Sequence, residues 1–82
     1  MTQGHKEVGK KYIADLNMQV PNLPARVRLN GDLRNQAISG IYAACMITME
    51  GHGGISDDDA KVILDEWIDE ATQPAKPSWG YV

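Results

Sequence analysis

"RVRLNGDLRN", Arg26 to Asn35, decides whether this 82-residue chain mixes strand with helix or is helical throughout. Val27 and Leu29 alternate with Arg26 and Arg28 as the two sides of a half-buried strand would, and Asn30-Gly31 is a strong two-residue hairpin signal. The second arm supplies only one apolar residue, Leu33, and a lone hairpin is marginal in water. Asp32 is also a good N-cap for the apolar run that follows, because its short side chain can accept a bond from an unpaired first-turn N–H. The segment therefore reads as a short extended piece, a turn at Asn30-Gly31, and a helix beginning near Asp32 or Leu33.

Upstream, "HKEVGKKYIADLNM" from His5 to Met18 places Val8, Tyr12 and Leu16 at i, i+4 and i+8, with Ile13 beside them. That is one helical stripe with the lysines outside it. Gly9 weakens it by about 1 kcal/mol relative to alanine. Pro21 and Pro24 in "VPNLPA" remove backbone donors and push the residues before them toward extended conformations, so this piece reads as a connection.

Downstream, a helix from about Leu33 to Glu50 becomes apolar on nearly every side in "AISGIYAACMITM", the pattern of a central element with neighbours all round. Gly40, Ala43 and Ala44 form a shallow patch on which another helix, from this chain or a second copy, could approach closely. Glycines 51, 53 and 54 end the helix, as a glycine in a left-handed conformation commonly does. Ser56 then caps a last helix, with Asp59 in the capping-box position and Ile55 placed to staple onto Ala60. Ala60, Ile63, Leu64, Trp67, Ile68 and Ala71 recur at spacings of three and four until about Thr72, before Pro74.

The expected fold is a small all-α domain of three helices over residues 1–73. A short extended or hairpin segment separates helices one and two, and an extended, proline-containing tail covers 74–82. With no phenylalanine and five Trp or Tyr residues, the core must be aliphatic. Cys45 is the only cysteine, so no disulfide within the chain is available. The longest apolar run, "IYAACMI", is far short of the roughly 20 residues that span a bilayer, and the N-terminus lacks a secretory pattern, so a soluble cytoplasmic protein is expected.

Net charge is −3, but residues 1–36 hold six Lys/Arg against three Asp/Glu, while residues 37–82 hold two against eight. Placed on different faces, these halves would make the molecule electrically polar. Overall acidity disfavours nucleic acid or an anionic membrane as the main partner, since such binding draws on cations that neutralise phosphates. A protein with a basic surface or groove fits better.

Four acids, Asp65, Glu66, Asp69 and Glu70, lie beyond the reach of the terminal helix dipole that accounts for Asp57, Asp58 and Asp59. They form a candidate docking face. Trp79 and Tyr81 in the tail are candidate anchors, because aromatic residues carry much of the energy at interfaces. The basic half offers an alternative in which Lys6, Lys10, Lys11, Arg26, Arg28 and Arg34 track a phosphate backbone while Tyr12 stacks on a base.

The glycine-rich stretch "EGHGGIS", Glu50 to Ser56, resembles the calcium loop of EF-hand proteins over about a dozen residues. The resemblance would put Thr48, Glu50, His52, Ser56 and Asp59 at ligand positions. It departs from the family at a neutral first ligand, an imidazole third ligand and a final aspartate in place of the chelating glutamate, so the oxygen set calcium needs is incomplete. Nor does His52 have a second histidine or cysteine at a zinc-chelating spacing.

No metal or other cofactor is called for, and no activated nucleophile, separated acid and base, or phosphate loop is legible. Cys45 sits in the most apolar run without an adjacent cation, and His5 lies near a terminus expected to fray. The chain reads as a non-catalytic protein-binding module, with homodimerisation left open. In size and charge it is similar to the small inhibitors of host nucleic-acid machinery carried by phages, anti-CRISPR and anti-restriction proteins among them.

Overall fold

A computed structural model describes residues 2–48, 51 and 54–73. Four helices and no strand occur among them: α1 (Gln3–Gln19), α2 (Leu23–Leu29), α3 (Gly31–Thr48) and α4 (Asp57–Thr72). The all-helical expectation holds. The three-helix count does not, because the piece read as extended is α2.

Two local facts explain α2. Pro24 falls in the first turn, where its missing N–H would have had no intrahelical acceptor in any case. Asn30 ends α2 by donating its backbone N–H to the Arg26 carbonyl, and its side-chain Oδ1 accepts from the N–H groups of Asp32 and Leu33 at 3.0 and 3.1 Å. Asn30 is thus the cap between two helices, in place of a hairpin turn at Asn30-Gly31 or a cap at Asp32. Leu23 and Val27, four apart, are both buried, whereas Leu29 is 89% exposed, a pattern no alternating strand would give. Asn22 makes the turn before α2 with φ 63°, a left-handed conformation that asparagine tolerates.

Helix α1 begins earlier than the apolar stripe suggested. Thr2 caps it: its hydroxyl accepts from the His5 N–H at 3.2 Å, and His5 Nδ1 accepts in return from the Thr2 N–H at 3.2 Å. The imidazole does what glutamate does in the usual capping box. Far from fraying, His5 is 2% exposed. The buried line of α1 is His5, Gly9 and Ile13, with Val8, Tyr12 and Leu16 half-buried along its edge.

Helix α4 follows the sequence pattern closely. The Ser56 hydroxyl accepts from the Asp59 N–H at 3.1 Å and the Asp59 carboxylate accepts from the Ser56 N–H at 3.4 Å. Ile55, Ala60, Ile63, Leu64 and Ile68 enter the core, but Ala71 is exposed.

α1, α3 and α4 form the body, with α2 packed on α3 and α4. Cys45 lies beside His5 and Gly40 beside Tyr12, so α3 runs opposite to α1. Lys6 meets Glu66 and Lys10 meets Glu70, so α4 runs with α1 and opposite to α3.

Gly9 has a reason to be glycine: a Cβ there would stand 2.7 Å from Ile63 Cγ2 and 3.0 Å from Ile41 Cγ2. Gly40 has another, since a Cβ would collide with the Tyr12 ring and hydroxyl. The shallow patch expected at Gly40, Ala43 and Ala44 is therefore partly filled from within, by Tyr12. α3 is also not enclosed all round: Ala37, Ile38, Ile41 and Cys45 face the core, while Ser39, Ala43, Met46 and Ile47 are exposed. Gly51 has φ 87°, the left-handed turn expected after this helix.

Candidate functional site

The acids proposed as a docking face are mostly turned to an internal use. Glu66 stands 3.5 Å from both Lys6 and Lys10, Glu70 is 2.7 Å from Lys10, and Arg34 Nη1 donates to Asp65 at 3.0 Å. Asp69 alone of the four has no ion pair among the described residues. The basic and acidic halves are therefore not on different faces: α1 and the start of α3 lay their cations along α4. The Lys10 pKa is raised above its ordinary value, chiefly by the hydrogen bond to Glu70. Partners 31 and 60 residues apart in sequence leave no local signal of their pairing.

The same pairs consume half of the basic alternative. Lys6, Lys10 and Arg34 are engaged, and the Tyr12 ring lies against Gly40 instead of standing free to stack. Lys11, Arg26 and Arg28 remain exposed, the first on α1 and the others in the last turn of α2. Trp79 and Tyr81 lie outside the described residues.

Of the loop likened to a calcium site, Glu50 and His52 are outside the described residues. Ser56 and Asp59 use their side chains on each other's backbone as the cap of α4. Among the described residues no three His, Cys, Asp or Glu side chains converge as metal ligands.

Cys45 is fully buried, its Sγ donating to the His5 carbonyl at 3.4 Å, and burial raises its pKa. An activated thiol needs the opposite shift. No described helix is long and apolar enough to cross a membrane.

What sequence reasoning missed is the outer side of α3. From Asn35 to Thr48 the chain contains no charged residue, and the exposed members Gln36, Ser39, Ala43, Met46 and Ile47 recur at helical spacing. Met46 is 48% and Ile47 76% exposed. The outer sides of the other helices all carry charge: Glu7, Lys11 and Asp15 on α1, Arg26 and Arg28 on α2, and Asp57, Asp58, Lys61, Asp65 and Asp69 on α4. The absence of charge is legible in the sequence, but an uncharged helix reads equally well as one buried all round. Single exposed apolar residues are ordinary on any protein, and here Ala43, Met46 and Ile47 are exposed at helical spacing on one side of α3.

No protein-family model, curated protein or solved structure matches this chain.

Proposed function

We propose that this chain is a non-catalytic protein-binding module that docks through the outer side of α3. The observation that carries this reading is the exposure of Met46 and Ile47 on the side of α3 that bears no charge from Asn35 to Thr48. The fitting partner presents an apolar centre to Ala43, Met46 and Ile47 and carries basic residues that suit an acidic protein. Asp32, Asp57 and Asp69 stay exposed without an ion pair among the described residues, and the net charge of −3 favours the same partner. Charge complementarity of this kind governs choice of partner and speed of encounter more than final affinity.

A narrower form of the proposal is a small phage-type inhibitor, anti-CRISPR-like or anti-restriction-like, that offers carboxylates to a groove built for phosphates. Its acids would be Asp57, Asp58 and Asp69, which project into solvent, in preference to Glu66 and Glu70, which already hold lysines.

Affinity capture from the native host with wild type, Ile47→Asp, and an Asp57→Ser/Asp58→Ser/Asp69→Ser triple variant tests both forms. Ile47→Asp is expected to abolish capture while leaving the helical circular dichroism intact. Full retention of the partner by that variant would sink the proposal. Retention by the triple variant alone would remove the carboxylate form and leave the general one.

A further inference from the structure

Asn30-Gly31 joins α2 to α3, and the bonds of that junction are all made by Asn30. We propose that the pair is a site of spontaneous covalent modification, at which the Asn30 amide is lost through a succinimide, and that the fold restrains the reaction through the cap the same side chain makes. Docking on α3 plays no part in it.

Gly31 is the first indication. Unlike Gly9 and Gly40, it has nothing within 4 Å of where a Cβ would stand, and its φ is not in the left-handed region. Neither packing nor backbone geometry requires glycine there, and glycine weakens a helix relative to alanine. Its consequence is chemical. With no Cβ, the Gly31 nitrogen is the least hindered backbone nucleophile that can follow an asparagine.

In the reaction the Gly31 nitrogen gives its proton to hydroxide and bonds to Asn30 Cγ, and the Cγ–Nδ2 bond breaks to release ammonia. Water then opens the five-membered ring. Attack at Cγ leaves aspartate in an ordinary chain, whereas attack at the main-chain carbonyl carbon leaves isoaspartate, whose peptide link runs through Cβ and Cγ. Both residues are exposed to that water. The Gly31 N–H, first in α3, has no carbonyl of its own helix to bond.

The folded junction opposes ring closure. Closure needs the Gly31 nitrogen nearly eclipsed with Asn30 Cβ about the Cα–C bond, and at ψ 102° it is turned far from that position. Asn30 Oδ1 is also held by the N–H groups of Asp32 and Leu33, and the Asn30 carbonyl accepts from the Arg34 N–H at 3.0 Å. Rotating ψ to close the ring gives up these bonds to α3, so the reaction waits for local opening of the junction.

The two products act on the fold differently. Aspartate keeps the oxygen that caps α3, and its charge suits the positive end of the helix. Isoaspartate adds a main-chain carbon between the N–H bonded to Arg26 of α2 and the carbonyl bonded to Arg34 of α3. The two helices then lose their register, and α2, with buried Leu23 and Val27, is loosened from α3 and α4.

Peptide mapping tests the proposal, because trypsin cuts after Arg28 and Arg34 and releases Leu29 to Arg34 as one peptide. Mass spectrometry reads the amide-to-acid gain, and chromatography separates the aspartyl and isoaspartyl forms. At mildly alkaline pH, urea-unfolded wild type should convert Asn30 many-fold faster than Asn35, which precedes Gln36. Folded wild type should convert Asn30 at least about tenfold more slowly than the unfolded chain. Gly31→Ala should keep the helical circular dichroism and lose most of the unfolded-state reactivity. Asn30→Asp should unfold at the urea concentration of wild type or a higher one, and the purified isoaspartyl form at a lower one. Conversion of Asn30 no faster than that of Asn35 in the unfolded chain would overturn the site. Equal rates in folded and unfolded protein would overturn the restraint, and an isoaspartyl form as stable as wild type would overturn the uncoupling of α2.

Discussion

α1 meets its two large neighbours in different ways. Against α3 it packs through missing side chains: Gly40 admits the Tyr12 ring, and Gly9 lets Ile41 close in, as it does Ile63 of α4. Against α4 its outer edge is ionic, with Lys6 and Lys10 shared between Glu66 and Glu70. The first seam is steric and unforgiving, because a close-packed interior has no spare volume for a methyl group. The second is half in water, where the attraction is partly cancelled by solvent and by the cost of holding two long side chains still. The difference teaches that α3 and α1 are fixed to each other by shape, while α4 meets α1 by shape at Gly9 and Ile63 and by charge along its outer edge.

The most forceful way to break that contrast is to add a methyl group at the steric seam. Gly40→Ala and Gly9→Ala each gain about 1 kcal/mol of helix propensity, yet overpacking of about 1–3 kcal/mol should outweigh it. Both variants should therefore unfold at lower urea concentration than wild type. Ile63→Leu, which removes the Cγ2 methyl facing Gly9, should relieve Gly9→Ala in a double-mutant cycle, whereas Ile63→Val, which keeps that methyl, should not. Equal or greater stability in either glycine variant would mean the seam is looser than its distances imply.

A smaller effect belongs to the cap of α4. Ser56→Ala removes the hydroxyl that accepts the Asp59 N–H and should cost about 1 kcal/mol in the same denaturation measurement. At the ionic seam, Lys10→Met should cost less than about 1 kcal/mol, with the loss shrinking in 1 M NaCl, where charges a few ångströms apart are screened. A Lys10→Met loss larger than that of Gly40→Ala would reverse the comparison.

The smallest effect is in pH. Because the folded chain raises the Lys10 pKa above 10.5, the pair contributes fully below that value and its contribution fades as pH climbs through the raised one. The gap between wild type and Lys10→Met should thus be constant from neutral pH to about pH 9 and close in stronger alkali. A gap that persists unchanged in strong alkali would show that the lysine stem, and not its charge, is what matters at this position.

The parts of the fold legible in the sequence were those with local causes. Ser56, Asp59 and the apolar spacing from Ala60 to Ile68 specify α4 with no reference to the rest of the chain. α2 was harder because its strongest local signal, Asn30-Gly31, serves a hairpin and a helix cap equally well. Only burial of Leu23 and Val27 against α3 and α4 selects the helix, although their spacing of four residues pointed that way. Thr2 and His5 hid a capping box because histidine is an uncommon third-position partner. The acidic face looked available because its lysines and arginine come from far along the chain. On α3, an apolar sequence could not say which of its sides would be left without a neighbour.

Cys45 gives the molecule an internal clock. As the chain's single thiol, shut inside and tied to the carbonyl of His5, it can meet an alkylating reagent only when the packing around it opens, as when α1 lifts away from α3. The rate of modification under native conditions therefore measures how often that separation occurs, from partial opening near the Thr2 cap up to complete unfolding. Such timing needs no added probe, and each variant described above would register on it as a faster or slower tick.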